Sequence, residues 1–308
     1  MKPPRPADDG STAAGAVDTR RAVLPHGFEL RRLRGPHEFD ECVTLQREVW
    51  GAAFAEVVPS GVLRVVQYVG GVAAGAFAPD GRLAGFVFGI SGIRHRRLSH
   101  WSDTLAVHPD FRNRGLGEQL KRYQRRILLP LGIERVYWTF DPLESRNAYL
   151  NFARLGVVAR EYRRDFYGAA SSELHSLIGT DRLVAVWRIR ARRVRARLAG
   201  GPPSAAQSAC SIPTINAAVA TADGPESREP RLDLDAPRVR LLIPSDIQQL
   251  KRTSPALADG WRRVTRAAFE AYFERGYIAT DLVRGGDCSS YLLERAAVAP
   301  DPGSVARD

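Results

Sequence analysis

One short stretch constrains the fold more than any other part of the chain. Residues 105–117 read L-A-V-H-P-D-F-R-N-R-G-L-G, so an apolar strand ends at a proline, a basic turn follows, and Gly115 and Gly117 open a helix. The first N–H groups of a helix have no helical acceptor, and the helix dipole favours negative charge there. Glycine lets a ligand approach the backbone closely, and Arg112 and Arg114 add charge suited to phosphate. The stretch therefore predicts a phosphate-binding turn.

The turn itself reads R-x-x-G-x-G over residues 112–117. It lacks the Gly-Lys-Ser/Thr of a P-loop, and it differs from the G-x-G-x-x-G of dinucleotide-binding folds. It resembles the pyrophosphate loop of the GNAT acyltransferase superfamily, whose ligand is acyl-coenzyme A. From the six residues alone, an ordinary strand-turn-helix with a glycine start stays an equal alternative.

The elements that follow the turn favour the resemblance. The next helix has an apolar stripe of Leu116, Leu120, Tyr123 and Ile127 at helical spacing. The charged residues placed off this stripe are Glu118, Lys121, Arg122 and Arg125. The pattern then predicts a strand over 135–140, a helix over 146–155 that stops at Gly156, and a strand over 157–165. This order is the one that the superfamily core shows.

Three further segments, 138–143, 146–151 and 166–168, are similar to a poorly characterised GNAT family with an added C-terminal region. The resemblance runs from about Phe28 to Glu294, and some members of that family are linked to N-acyl or N-succinyl amino-acid metabolism. It implies an α/β (α+β) fold. The expected sheet is mixed, contains a splayed pair of parallel strands and is flanked by helices, with a smaller α+β region after it.

Composition shifts, together with the resemblance, divide the chain into five predicted parts. They are a disordered tail at 1–25, the GNAT domain at 26–192, a linker at 193–236 rich in Ala, Pro, Gly and Ser, the C-terminal region at 237–298, and a disordered tail at 299–308. The helix-glycine-strand order of 267–277 echoes 147–157. A decayed half-repeat and a coincidence of element order both stay open.

Charge and cysteine usage exclude several classes of protein. The net charge of +11 suits an anionic ligand, but the basic run at 187–197 has no aromatic residue for base stacking except Trp187, so nucleic acid is not an expected partner. Cys42, Cys210 and Cys288 lack metal-ligand spacing, so no metal is expected. The chain has no apolar run near 18 residues and no apolar leader, so we expect a cytoplasmic protein without a membrane partner.

The resemblance implies an acyl-CoA-dependent N-acyltransferase. An acetyl or succinyl-like group would move from coenzyme A to the amine of a small molecule, an amino acid among the candidates. A non-catalytic module that binds acyl-coenzyme A is the alternative, and a homodimer is left open. The residues that the resemblance assigns to the cofactor are Leu105, Val107, Arg112, Asn113, Arg114, Gly115, Leu116, Gly117 and Asn147.

The usual catalytic positions of the superfamily are altered here. The position of the usual carboxylate base falls at Trp101, so Asp103, two residues on and on the same face of the strand, is the predicted base. The usual acid position falls at Phe152, and Tyr149, one turn earlier, is the predicted acid. A structural carboxylate and a packing tyrosine are the respective alternatives.

A second arginine group lies far along the chain. Its members are Arg262, Arg263 and Arg266. An acidic substrate group and a solvated helix face are both readings of this cluster.

Overall fold

A computed structural model describes residues 21–52, 54–168, 178–201 and 212–296. Within them, strands form one 11-stranded mixed sheet and a separate two-stranded pair. The strands are β1 Arg21–Val23, β2 Glu29–Arg32, β3 Val72–Phe77, β4 Leu83–Arg94, β5 Arg97–Val107, β6 Arg135–Phe140, β7 Val158–Arg163, β8 Arg182–Arg188, β9 Ala218–Thr221, β10 Gly224–Ser227, β11 Arg238–Pro244, β12 Tyr277–Val283 and β13 Cys288–Arg295.

Helices cover both faces of the large sheet. They are α1 Gly35–Trp50, α2 Ser60–Tyr68, α3 Leu116–Leu128, α4 Ser145–Tyr149 with a π-helical continuation over Leu150–Arg154, α5 Arg192–Leu198, α6 Ile247–Thr253 and α7 Pro255–Glu274. None of the helices in the described ranges is long and apolar enough to span a bilayer. The predicted mixed sheet flanked by helices is confirmed.

The first five strands form an antiparallel meander, with α1 and α2 inserted between β2 and β3. One face packs on α1 and α2 through a core that includes Phe39, Leu45 and Phe86. The other face packs on α3 through a larger core that continues into the C-terminal region. β4 and β5 extend through residues 93–99 and turn at His95 and Arg96, which both have positive φ.

The second half of the sheet has a palindromic strand order, β6-β8-β7-β12-β13-β11. The first unit consists of β6, then α4, then β7 and β8. The second unit has the same order, with β11, then α6 and α7, then β12 and β13. The two units meet at an antiparallel pair between Ala159 and Ala279, which lie three residues after Gly156 and Gly276 respectively. This strand order is the one that a half-repeat would give.

Parts of the predicted division fall outside the described residues, including Cys210 and the tails at 1–20 and 299–308. Residues 21–23 form β1, which pairs with β2. The segment predicted as a linker contains α5 and the β9–β10 hairpin. The division itself stays a prediction.

Candidate active site

Strands β5 and β6 are parallel neighbours that diverge. They pair only at His100–Val136 and Trp101–Tyr137, and in the described part of the chain no further ladder pair joins them toward their C-terminal ends. A cavity of about 660 Å³ fills the opening. The predicted splay is thus present, and it leaves a slot whose closed end lies just beyond Trp101 and Tyr137.

The phosphate-binding turn leads into α3 beside the diverging part of β5, where Gly117 lies next to Leu105. Asn113 and Gly115 both have positive φ, 63° and 74°, and Arg112 and Arg114 are exposed. The N–H of Gln119 donates to the Gly115 carbonyl at 3.2 Å, so the amides before it lie in the first turn, where helices leave N–H groups without helical acceptors. The predicted phosphate-binding turn therefore has the backbone geometry of an anion site.

Gly117 packs beside two residues that line the slot. A Cβ built on it would lie 3.6 Å from Leu105 Cδ2 and 3.8 Å from Leu150 Cδ2, so the glycine lies between β5 and the π-helical turn after α4. Asn147 and Asn151 line the same cavity, and Asn151 Nδ2 donates to Asn147 Oδ1 at 3.4 Å. The predicted cofactor residues Leu105, Gly117 and Asn147 are therefore brought together around the slot.

A β-bulge in β5 determines which side chains face α3. Thr104 pairs with Phe88 and Trp101 with Ile90, so β5 has one more residue than β4 in this interval. Because a bulge reverses the alternation, Ser102 faces the same helix as Leu105, although the two lie an odd number of residues apart.

A buried polar network joins β5 to α3. Lys121 Nζ donates to Ser102 Oγ at 2.6 Å, and Ser102 Oγ donates to Gln124 Oε1 at 3.0 Å. Gln124 Nε2 lies 3.0 Å from His100 Nε2, and His100 Nδ1 lies 3.0 Å from Ser91 Oγ. Because the Gln124 amide donates to Nε2, the proton of His100 is on Nδ1, which donates to Ser91. Burial and the charge of Lys121 lower the pKa of His100 to about 3.

Lys121 is the functional candidate that the sequence pattern missed. It was placed off the apolar stripe of α3, yet its side chain is only 4% exposed and lines the cavity. Its Nζ lies 3.8 Å from the centroid of the Trp138 ring. Burial lowers the pKa of Lys121 to about 7. Composition carried a signal for it, because the chain has 42 arginines and only three lysines.

The predicted base and acid differ in their positions. Asp103 is exposed and lines the cavity, and its Oδ2 accepts from Thr104 Oγ1 at 3.0 Å. Phe152 is fully buried against Phe140 and Tyr291. Tyr149 is not among the described residues that line the cavity. The Arg284 guanidinium lies over its ring, with Cζ 5.5 Å from the ring centroid.

The far end of the cavity contains charges of both signs. Arg182 is 5% exposed, and its guanidinium donates to the Asp181 carbonyl at 3.0 Å and lies 5.2 Å from the Tyr167 ring. Glu56 lines the same end. Burial raises the pKa of Glu56 against the opposing pull of Arg182, so the two groups are electrostatically coupled.

The C-terminal region supports the cavity wall through α7. Arg262 Nη2 donates to Asp141 Oδ2 at 2.7 Å, and both side chains are 3% exposed. Burial alone would raise the pKa of Asp141, but Arg262 holds it below its usual range. Arg266 binds Asp181 with two hydrogen bonds of 2.7 and 2.8 Å. A solvated face is therefore wrong for Arg262, which is paired inside the protein.

Residues 66–156 match the family model described as Acetyltransferase (GNAT) family. The ribosomal-protein-S18-alanine N-acetyltransferase from Escherichia coli is similar over 53% of this chain and 95% of its own, at 15% identity and a TM-score of 0.43. An aminoglycoside 6'-acetyltransferase type Ii is similar over 53% of this chain and 98% of its own, at 18% identity and a TM-score of 0.41. No curated protein matches the chain.

The matched segment begins within α2 and ends directly after the π-helical turn that follows α4, so it contains the phosphate-binding turn and both diverging strands. Acyl transfer from coenzyme A is the reaction that such a domain indicates. Residues 66–156 are therefore the part of the chain that matches the GNAT acetyltransferase family.

Proposed function

We propose that the protein moves an acetyl or succinyl-like group from coenzyme A to the amine of a small molecule that also carries a carboxylate, such as an amino acid. The observation that carries the proposal is the cavity between β5 and β6. Gly117 of the anion-binding turn contacts Leu105 and Leu150 on its wall, and the buried Arg182 lines it. A thioester donor and a charged acceptor can therefore meet inside one slot.

The residues at the open end fit the donor. The first-turn amides after Asn113, with Arg112 and Arg114 beside them, suit a diphosphate. Leu105 and Val107 pair with β4 on one side only, because β6 has diverged on the other, so this edge of β5 is free to bind the pantetheine arm. The residues proposed to hold the donor are Leu105, Val107, Arg112, Asn113, Arg114, Gly115, Leu116, Gly117 and Asn147.

The far end fits a zwitterionic acceptor. Arg182 offers a guanidinium to a carboxylate, and Glu56 and Asp103 line the same cavity and attract an ammonium group. Charge complementarity of this kind mainly sets which partner binds, so the acceptor is expected to be selected by its two charges.

The test is coenzyme A release by the full-length protein with acetyl-CoA or succinyl-CoA and paired acceptors. Each pair contains an amino acid and the amine that lacks its carboxylate, and mass spectrometry identifies the acylated product. We expect release with at least one amino acid and slower release with its decarboxylated partner. Tight retention of acyl-CoA with no release to any amine would contradict the proposal and support a binding module.

A further inference from the structure

The Lys121 amine lies where β5 and β6 begin to diverge. Trp101 and Tyr137 are the last paired residues of the two strands. The next residue is Ser102 on β5 and Trp138 on β6. Lys121 Nζ contacts both of them, at 2.6 Å from Ser102 Oγ and 3.8 Å from the Trp138 ring centroid. The amine is therefore at the closed end of the slot.

Lys121 shares one side of α3 with the phosphate-binding turn. Gly117, Lys121 and Gln124 are spaced four and three residues apart, and all three face β5. With a helical rise of about 1.5 Å per residue, Lys121 is about 6 Å further along the axis than Gly117. A donor whose diphosphate lies at the turn and whose arm follows β5 therefore directs its thioester toward Lys121.

The lysine is buried without a charged partner. Within the described ranges no carboxylate forms an ion pair with Lys121. The titratable groups that face the same cavity are Glu56, Asp103, Asp141, Glu144, Tyr167 and Arg182, and His100 on β5 is joined to it through Ser102 and Gln124. Asp141 is neutralised by Arg262, and His100 stays uncharged, so neither holds Lys121 in its protonated form.

Both forms of the amine have a place in this arrangement. The Trp138 ring stabilises the ammonium by a cation–π contact. Ser102 accepts one N–H and is itself fixed by its hydrogen bond to Gln124, so the amine keeps its orientation toward the cavity. Arginine, which the chain uses for 42 of its 45 basic residues, cannot lose its proton, whereas a buried lysine can.

We propose that Lys121 is the proton-transfer residue of the acyl transfer, in place of the separate base and acid whose usual positions are Trp101 and Phe152. This rests on the proposed function. Neutral Lys121 Nζ takes the proton that the acceptor nitrogen loses as the C–N bond forms. It returns that proton to the sulfur as the C–S bond breaks and the sulfur takes the bonding pair. The lysine ends each turnover as it began, and no further reactant is needed.

A titration that needs no acceptor gives the first test. The protein is labelled with [6-13C]lysine, which yields three signals, and Lys2→Arg, Lys121→Arg and Lys251→Arg variants assign them. We expect the Lys121 signal to titrate near pH 7 in the wild-type protein. Titration of that signal above about pH 9 would overturn the proposal, whether or not an acceptor is known.

The second test measures kinetics with the acceptor that the coenzyme A release assay identifies. Lys121→Met and Lys121→Arg are each expected to lower kcat/KM by about 10²–10⁴-fold, while acyl-CoA still binds within a few-fold of wild type. The rising limb of the wild-type pH profile near pH 7 should be absent in Lys121→Arg. Lys251→Arg, a change of the same kind at a buried lysine that does not line the cavity, is the control.

Three outcomes would count against the role of Lys121. Lys121→Arg could retain the activity and pH profile of the wild type, or Asp103→Asn could abolish the rising limb while the Lys121 variants keep it. Either result overturns this inference alone, the second in favour of Asp103. If the wild-type protein releases no coenzyme A with any amine, the proposed function and this inference fall together.

Discussion

Arg262 of α7 and Asp141, the first residue after β6, form a buried ion pair of 2.7 Å between the C-terminal region and the wall of the cavity. Removing one member of such a pair leaves an uncompensated buried charge. We expect Arg262→Met to lower the free energy of unfolding by about 3–5 kcal/mol, measured by urea denaturation. The neighbouring residue, Arg263, forms an exposed ion pair with Glu229. We expect Arg263→Met to lower the free energy of unfolding by about 1 kcal/mol or less. Equal losses in the two variants would show that the buried pair has no special role.

A methyl group at Gly117 should interfere with the donor but not with the fold. The added Cβ would make ordinary contacts with Leu105 and Leu150, and it would narrow the slot between them. We expect Gly117→Ala to weaken coenzyme A binding about tenfold in a calorimetric titration, a cost of about 1.4 kcal/mol. Gly260→Ala in α7, where nothing lies within 4 Å of the new Cβ, is the matched control and should leave binding unchanged. Equal affinities for the two variants would remove Gly117 from the donor site.

Arg182 should decide between acceptors that have a carboxylate and those that lack it. A hydrogen bond to a charged group contributes about 1.5–3 kcal/mol. Arg182→Met is therefore expected to raise KM for the amino-acid acceptor by about 10–150-fold and to leave KM for its decarboxylated partner nearly unchanged. The two KM values are measured by coenzyme A release at saturating acyl-CoA. A uniform loss for both acceptors would instead point to a structural role for the arginine.

His100 should make the protein sensitive to mild acid. Its pKa is lowered from 6.5 to about 3 in the folded protein, so between these values the unfolded chain binds the extra proton and the folded chain does not. Stability contributed by neutral His100 is therefore complete above pH 6.5 and decreases as the pH falls. Between pH 7 and pH 5 the loss amounts to about 2 kcal/mol. Urea denaturation of wild type and His100→Asn at both pH values tests this contribution. A wild-type loss no larger than that of the variant would refute it.

The phosphate-binding turn could be predicted from the sequence because its chemistry is local. Two glycines after a basic turn determine where the backbone amides point, whatever packs around them. The parallel strands followed from element order and from the resemblance. The recurrence of helix, glycine and strand at 147–157 and 267–277 was also visible in the sequence, and the strands that follow the two glycines pair at Ala159 and Ala279.

Lys121 could not be found by periodicity because burial here does not follow hydrophobicity. The first half of α3 faces the slot between diverging strands, so a polar side chain on that side is removed from solvent without joining the apolar core. The bulge in β5 is a second obstacle, since simple alternation puts Ser102 and Leu105 on opposite faces. The partners of Arg262 and Arg266 lie 121 and 85 residues earlier in the chain, beyond any local pattern.

The junction between the two halves of the repeat has a consequence for assembly. Only one ladder pair joins β7 to β12, yet β12 takes the position beside β7 where another molecule could have added a strand. Among the described residues, the outermost strands of the large sheet are then β1 and β11. Copies of this protein that associate by extending that sheet must therefore pair through β1 or β11. The edge of β7 is not open to them, because β12 already covers it.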